Sequence, residues 1–168
     1  QWIRINMGNR YDVRVVSVES TEDMLAAVLE ETTAASALIM AAAPADYRPA
    51  VRSEHKLKKT ANGRTLDLVP NPDILATLAR ERPGLFRLGF AAETQNFEQN
   101  AADKAMRKAL DLIFVNDVGT TARGTGFEVE TNGGTLLDGA GTRVCEIPVR
   151  SKRVVAHLLL DELVRRLP

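Results

Sequence analysis

Four short apolar segments of the chain are predicted to form strands, namely residues 11–18, 37–43, 86–92 and 111–115. Residues 37–43 form an unbroken apolar run, which predicts a strand buried on both faces. Pro44 ends this run, because proline cannot donate to a sheet ladder. The chain is therefore expected to leave the sheet here, in a loop that carries Asp46, Tyr47 and Arg48.

Helical patterns lie between these strands. Ser20 with Asp23 resembles a capping box and predicts a helix to about residue 34. Asn71 suits the N-cap and Pro72 the first position of a helix that ends at about residue 82. Two more helices are predicted, one from Thr94 or Asn96 to about residue 110 and one capped by Ser151, with an apolar stripe of Val154, Val155, Leu158, Leu159 and Leu163. This alternation indicates an α/β fold, a Rossmann-like, doubly wound and mainly parallel sheet.

Two β-hairpins are predicted as additions to this sheet. Asn62 and Gly63 lie between residues 58–61 and 64–69 and favour a tight hairpin turn, which would place a lysine cluster on one arm. A second hairpin is predicted to join residues 127–131 and 135–138 around residues 132–134, and residues 143–148 to add another strand.

Composition narrows the class of protein. The length of 168 residues fits a single domain over residues 1–168, and equal numbers of basic and acidic residues, 22 each, give no reason to expect nucleic acid or an anionic membrane as partner. One cysteine, Cys145, cannot form an internal disulfide, which favours a reducing compartment. No apolar stretch approaches the roughly 20 residues of a membrane span. We therefore expect a cytoplasmic protein.

Candidate anion-binding groups follow the predicted strands. The helix that begins near Pro72 and Asp73 offers free N–H groups that suit a phosphate, although these residues could simply cap the helix. Lys104 and Lys108 are four residues apart, so they could clamp a polyphosphate or form a solvated basic face.

Lys56, Lys58 and Lys59 form a second basic group, which begins ten residues after Asp46. They could stabilise charge on a phosphate or protect the edge of a sheet. Phe90 could pack on a planar ring at the end of a strand or belong to the core. Neither a Walker motif nor a G-x-G-x-x-G motif is present.

Six motifs occur in an order that resembles one known family. They are Ala-Ala-Ala-Pro-Ala-Asp-Tyr-Arg-Pro at residues 41–49, Lys-Leu-Lys-Lys at 56–59, Asn-Pro-Asp-Ile-Leu at 71–75, Gly-Phe-Ala-Ala-Glu-Thr at 89–94, the lysines at 104 and 108, and Asn-Asp at 116–117. From about residue 12 onward the chain resembles the phosphopantothenoylcysteine synthetase domain, the C-terminal half of a bacterial bifunctional coenzyme A biosynthesis flavoprotein.

The resemblance implies CTP-dependent ligation of L-cysteine to 4′-phosphopantothenate through an acyl-cytidylate, with release of pyrophosphate and then CMP. It implies a catalytic role for Lys56 on the triphosphate. It also implies a nucleotide site with no protein metal ligands, formed by Met40, Ala41, Ala42, Asp46, Lys56, Pro72, Asp73, Ile74, Leu75, Phe90, Lys104 and Lys108. Mg²⁺ is expected with the triphosphate, a homodimer is expected, and FMN is expected only where a decarboxylase domain is fused upstream.

The N-terminal segment differs from the family pattern. The family begins with a strand, a phosphate-recognising turn and an N-x-x-S-G-x-M-G segment, whereas here only residues 5–8 resemble it, with Asn6 in the place of the asparagine. The domain is therefore expected to be incomplete at this end. Two alternatives remain, a CTP-binding remnant without complete ligase activity and an NAD(P)-dependent oxidoreductase.

Overall fold

Nine strands and four α-helices lie in the parts of the chain that the computed structural model describes, residues 3–6, 12–53, 55–59, 64–93, 95–117 and 129–167. The strands are β1 (Ile3–Asn6), β2 (Asp12–Val15), β3 (Ala37–Met40), β4 (Tyr47–Pro49), β5 (Leu68–Pro70), β6 (Phe86–Glu93), β7 (Leu112–Asp117), β8 (Thr131–Asp138) and β9 (Arg143–Ser151). The helices are α1 (Thr21–Glu31), which a 3-10 turn (Thr32–Ala34) extends, α2 (Ile74–Glu81), α3 (Phe97–Arg107) and α4 (Lys152–Val164).

The chain divides into two units. The first comprises Gln1–Glu30 and Ala43–Ile74, and the second comprises Glu31–Ala42 and Leu75–Pro168. The first unit contains two small antiparallel sheets, β1 with β2 and β4 with β5. The expectation of a single domain over residues 1–168 stays a prediction.

A five-stranded sheet organises the second unit, in the order β3-β6-β7-β8-β9. The first three strands are parallel, and β8 is antiparallel to both of its neighbours. A buried cluster joins one face of the sheet to α4; its members are Leu88, Leu112, Phe114, Leu136, Ile147, Val155, Leu159 and Leu163. The helix α3 buries three alanines and contacts β6, β7 and β8. These features confirm the predicted Rossmann-like α/β fold with a mixed, mostly parallel sheet.

Two strand predictions are wrong in detail. The segment 11–18 was expected to form a strand of the main sheet, but β2 pairs with β1 in a separate sheet. The segment 37–43 was expected to be buried on both faces, but β3 ends at Met40 and Ile39 is 43% exposed. The reason is that β3 lies at the edge of the described sheet, where fewer neighbouring side chains cover its faces than at the central strands β6 and β7.

The first predicted hairpin does not form as expected. Its second arm contributes only β5, and β5 pairs with β4, so that Arg48 lies opposite Val69. The lysines at 56, 58 and 59 lie outside any strand. The Asn62-Gly63 turn itself falls outside the described residues.

The second predicted hairpin has its turn in the wrong place. Gly133 and Gly134 lie inside β8, and the turn occupies residues 139–142, where the Asp138 carboxylate accepts hydrogen bonds from the backbone N–H groups of Ala140 and Thr142. The two glycines are needed for close approach, since a Cβ on Gly134 would lie 2.1 Å from the carbonyl oxygen of Val115. The final predicted strand is confirmed as β9, and residues 127–128 fall outside the described residues.

The helix starts were predicted with mixed success. The capping box is confirmed, because the Asp23 carboxylate accepts a hydrogen bond from the Ser20 N–H and the Ser20 hydroxyl accepts one from the Asp23 N–H, both at 3.1 Å. Ser151 caps α4, as expected. However, Val154 and Leu158 are 44% and 40% exposed, so the buried stripe of α4 is narrower than predicted.

Candidate functional site

The carboxyl ends of the three parallel strands meet at one edge of the second unit's sheet. Met40 lies opposite Gly89, and Ala92 lies opposite Asn116. Met40 is buried, whereas Ala41 and Ala42, which follow it, are exposed. This edge is where ligands bind in open α/β sheets. Met40 is the last residue of β3, and its contact with a nucleotide stays a prediction.

Lys104 is anchored near this edge, one residue beyond the level at which β3 ends. Its ammonium group donates a hydrogen bond of 2.8 Å to the carbonyl oxygen of Phe90. The helix α3 brings it there because the buried side of the helix consists of small alanines, which allow a close approach to the sheet. Lys108 follows the last helical residue as the C-cap, and its N–H donates to the carbonyl of Lys104 at 3.0 Å.

The ring of Phe90 belongs in part to the core. It is half-buried and packs edge-on against Phe114, with the ring centroids 5.8 Å apart and an angle of 70° between the rings. The core interpretation of this residue is therefore supported by the packing, while its carbonyl contacts Lys104. Its proposed stacking on a nucleotide stays a prediction.

Asp46 is tied to the segment that leads into α2. The backbone N–H of Asn71 donates to the carbonyl of Asp46 at 2.8 Å, and the side-chain amide of Asn71 donates to the carbonyl of Ala45 at 2.8 Å. The prediction that Asn71 caps the helix is wrong, because α2 begins at Ile74 and the Asn71 side chain bonds to this loop instead. The structure thus brings Asp46 close to the approach to Pro72 and Asp73.

The residues around the start of α2 differ in exposure. Asp73 is exposed and Pro72 half-buried, but Ile74 and Leu75 are buried. A ligand at this helix start would therefore meet the backbone of Ile74 and Leu75 rather than their side chains.

Lys56 is exposed in the first unit, with Leu57, Lys58 and Lys59 exposed beside it. This segment has no regular structure. These lysines therefore do not lie on a strand of the predicted hairpin, and the predicted role of Lys56 in catalysis stays a prediction.

Glu98 is a structural residue that the sequence did not single out. From the first turn of α3 it forms an ion pair with Arg143 and accepts a hydrogen bond of 3.3 Å from the hydroxyl of Thr135, which is buried. These contacts fasten the start of α3 to β8 and β9. The available signal was its acidic character in a first helical turn, which is too common to predict a specific partner.

Two further parts of the structure contain titratable groups with perturbed pKa values. The hydrogen bond from the Ser20 side chain lowers the pKa of Asp23. In the second unit, burial raises the pKa of the Cys145 thiol, and the Glu162 carboxylate adds to this effect. The pKa of Glu162 is itself lowered, mainly by its hydrogen bond from Arg166.

Comparison with known proteins identifies the family. The family model of the DNA/pantothenate metabolism flavoprotein C-terminal domain matches residues 4–167. The chain belongs to this family. The match extends over nearly the whole chain, so it covers every residue of the candidate site.

Relatives in this family share substantial sequence. The chain is 40% identical over 148 residues to the coenzyme A biosynthesis bifunctional protein CoaBC of Bacillus subtilis, and the match covers 88% of this chain and 36% of that protein. It is 39% identical over 160 residues to the protein of the same name from Escherichia coli K12, covering 92% of this chain and 38% of that protein. The chain thus spans less than two fifths of the length of these relatives.

Solved structures of family members agree with the fold. A crystal structure of the C-terminal domain of CoaBC matches with a TM-score of 0.70 and 32% identity, over 90% of this chain and 67% of that one. The DNA/pantothenate metabolism flavoprotein from Streptococcus pneumoniae matches with a TM-score of 0.63 and 20% identity, over 88% of this chain and 71% of that one. The second likeness supports the fold alone.

The expected Mg²⁺ ion would be bound mainly through the nucleotide. Within the described residues no group of three or more His, Cys, Asp and Glu side chains is placed to hold a metal ion. Mg²⁺ is commonly held by substrate phosphates with few protein ligands, so the predicted triphosphate would itself supply most of its oxygen ligands. Among the described helices none is long and apolar enough to cross a membrane.

Proposed function

We propose that this chain performs the ligase chemistry of coenzyme A biosynthesis, the CTP-dependent joining of L-cysteine to 4′-phosphopantothenate. Family membership and the names of the relatives support the coenzyme A part of this proposal. The observation that carries the nucleotide part is Lys104, because its ammonium group is fixed 2.8 Å from the Phe90 carbonyl, near the carboxyl edge of the parallel strands and just beyond the end of β3. A fixed cation at this edge suits a polyphosphate.

The chemistry requires activation of an unreactive carboxylate. A carboxylate oxygen of 4′-phosphopantothenate attacks the α-phosphorus of CTP, the bond to the β-phosphate oxygen breaks, and pyrophosphate leaves. The amine of cysteine then attacks the acyl carbon, the bond to CMP breaks, and the amine loses a proton as the amide forms. Positive charge placed near the departing pyrophosphate lowers the barrier of the first step.

We assign roles to individual residues within this scheme. Lys56, Lys104 and Lys108 neutralise phosphate charge, and Lys56 acts at the transition state. The start of α2 directs backbone N–H groups toward phosphate oxygens, as helix starts do. Cytidine contacts are assigned to the backbone of residues 40–42, to Asp46 and to Phe90. Mg²⁺ bound to the triphosphate would supply further charge neutralisation.

Two proposals concern the assembly and fused domains. We propose a homodimer as the functional state, and size measurement in solution tests it. FMN would belong to a decarboxylase domain in a longer polypeptide and has no role in the steps above.

The decisive experiment measures CTP binding and pyrophosphate release by the chain and by Lys56→Gln. We expect the variant to keep CTP binding and to release pyrophosphate about 100-fold more slowly with CTP and 4′-phosphopantothenate, because charge stabilisation at the transition state is lost. Lys152→Gln, an exposed lysine at the start of α4, is the matched control and should release pyrophosphate at the parental rate.

Each other outcome points to a different conclusion. Equal rates for Lys56→Gln and the parent would remove the role of Lys56. Binding of CTP by the parent without pyrophosphate release would favour a nucleotide-binding remnant. Binding of NADH without binding of CTP would favour an oxidoreductase.

A further inference from the structure

The strand β4 carries an arginine that links three segments of the first unit. The Arg48 guanidinium donates a hydrogen bond of 2.7 Å to the carbonyl of Pro70 and one of 3.4 Å to the side-chain oxygen of Asn71. Its other terminal nitrogen forms an ion pair of 2.8 Å with Glu22 at the start of α1. With a side chain that is 35% exposed, Arg48 is partly shielded from water, which strengthens these contacts.

Asn71 returns contacts to the same loop. Its backbone N–H donates to the carbonyl of Asp46, and its side-chain amide donates to the carbonyl of Ala45. Both polar atoms of the side-chain amide are therefore used: the oxygen accepts from Arg48 and the nitrogen donates to Ala45. We call this reciprocal set of hydrogen bonds between residues 45–48 and 70–71 the Arg48–Asn71 clasp.

The chemistry of the clasp depends on these two residue types. Only a planar guanidinium presents several donors in a fixed geometry, so lysine could replace one of the contacts of Arg48 but not all of them. Only an amide can accept from Arg48 with its oxygen and donate to Ala45 with its nitrogen. The clasp is thus more specific than a surface ion pair between the same segments.

The clasp fixes the distance between two segments to which the proposed function assigns nucleotide contacts. Asp46 lies between the clasped residues Ala45 and Arg48, and Pro72 directly follows Asn71. A ligand that touches both segments binds more tightly when their spacing is set beforehand, because no ordering cost remains at the moment of binding.

We propose that Arg48 and Asn71 are positioning residues that preorganise Asp46 and the approach to α2 for a cytidine nucleotide, and that they do so without contacting the nucleotide. This inference rests on the proposed function. It assigns a role in ligand affinity to two residues whose hydrogen bonds and ion pair, described above, join parts of the first unit.

Calorimetric titration with CTP tests the clasp in Arg48→Lys, Asn71→Asp and the double variant. Asn71→Asp keeps the oxygen that accepts from Arg48 and removes the amide that donates to Ala45. We expect each single variant to bind CTP about tenfold more weakly, which corresponds to the loss of one hydrogen bond made by or to a partly shielded group. The double variant should lose about tenfold rather than about 100-fold, because both residues act through one clasp.

Hydrogen exchange at the backbone N–H of Asn71 reports whether the clasp is formed, independently of function. Its bond to the Asp46 carbonyl should protect it in the parent and protect it less in all three variants. The CTP titrations are made well below each variant's melting temperature, where the protein is folded. Under that condition a residue that only supports the fold would leave the affinity for CTP unchanged.

Two variants serve as controls. Arg52→Lys alters a highly exposed arginine whose ion pair with Glu19 lies at 3.3 Å, and it should bind CTP as the parent does. Glu22→Gln removes the ion pair of Arg48 with α1 and leaves the clasp, so affinity should change by less than about twofold.

Three results would overturn the proposal. Variants that lose amide protection yet bind CTP as tightly as the parent would remove the clasp's role while the proposed function stands. A loss for Glu22→Gln as large as for Arg48→Lys would show that Arg48 acts through α1. A parent chain that binds no cytidine nucleotide would remove the proposed function and this inference with it.

Discussion

A methyl group added at Gly134 tests the closest backbone approach in the main sheet. The new Cβ would lie 2.1 Å from the carbonyl oxygen of Val115, 2.9 Å from its carbonyl carbon and 3.1 Å from the Cα of Asn116. All three atoms belong to the backbone of β7. No side-chain rotation can relieve the overlap, so the strands β7 and β8 must separate.

The structure sets the size of this effect. Real Cβ atoms do not approach other heavy atoms closer than 3.0 Å, so the oxygen would have to move by about 0.9 Å within a close-packed interior. We expect Gly134→Ala to destabilise the protein by about 3 kcal/mol, the upper part of the usual range for overpacking. For a chain of this length that predicts a melting temperature lower by roughly 6 to 12 °C.

Two other glycines provide a graded comparison. Gly84 has no atom within 4 Å of the position that a Cβ would take, so Gly84→Ala should leave the melting temperature unchanged or slightly raised. Gly89→Ala would meet the Cδ1 atom of Leu110 at 2.5 Å, and a side chain can shift, so we expect an intermediate cost of about 1 kcal/mol.

Thermal melts followed by far-ultraviolet circular dichroism measure the series, and hydrogen exchange over residues 112–115 shows whether β7 is the strand that loosens. A Gly134→Ala protein that melts within about 2 °C of the parent would refute the described spacing of β7 and β8. So would a Gly89→Ala protein that is destabilised more than Gly134→Ala.

Three further predictions concern charged and titratable groups. Lys104→Met should keep the fold and weaken CTP binding about tenfold, measured by calorimetry, because the cation at the sheet edge is lost. Ser20→Ala should raise the pKa of Asp23 toward its usual value, measured by NMR titration, since the Ser20 hydrogen bond is the main cause of the lowering. A lowered carboxyl pKa stabilises the fold above the pKa of the unfolded chain, about 3.9, and this contribution disappears as the pH falls through the native pKa. As the pH rises from below the native pKa to above the unfolded one, the variant should therefore gain less stability than the parent. Cys145 should react with iodoacetamide more slowly at pH 8 than a free cysteine peptide, because its raised pKa leaves less thiolate, and Glu162→Gln should speed the reaction.

The sequence predicted those elements whose causes are local. The capping box of α1 and the cap of α4 follow from side chains within three residues of each other, and both were found as expected. The parallel core strands β6 and β7 were found because a short apolar run bounded by turn residues is typical of a buried strand.

The wrong predictions have causes that are distant in sequence. Glycines at 133 and 134 indicate a turn when only neighbours are considered. Gly134 instead admits the backbone of β7, about 20 residues earlier in the chain, and Gly133 admits the backbone of β9, later in the chain. Asn71 has the character of an N-cap, but its partners are Ala45 and Arg48. A side chain that can bond to several backbone groups takes the partner that tertiary structure supplies, and no local rule specifies that partner.

The order of strands in the main sheet has a consequence for folding kinetics. The pairing of Ala37 with Phe86 closes a chain segment of about 50 residues, whereas that of Leu137 with Arg143 closes one of about six, a difference in loop entropy of about 2 kcal/mol. The hairpin of β8 and β9 can therefore nucleate quickly together with α4, while β3 docks late. Refolding should accordingly show early protection of amides in the C-terminal third of the chain and slow protection in β3.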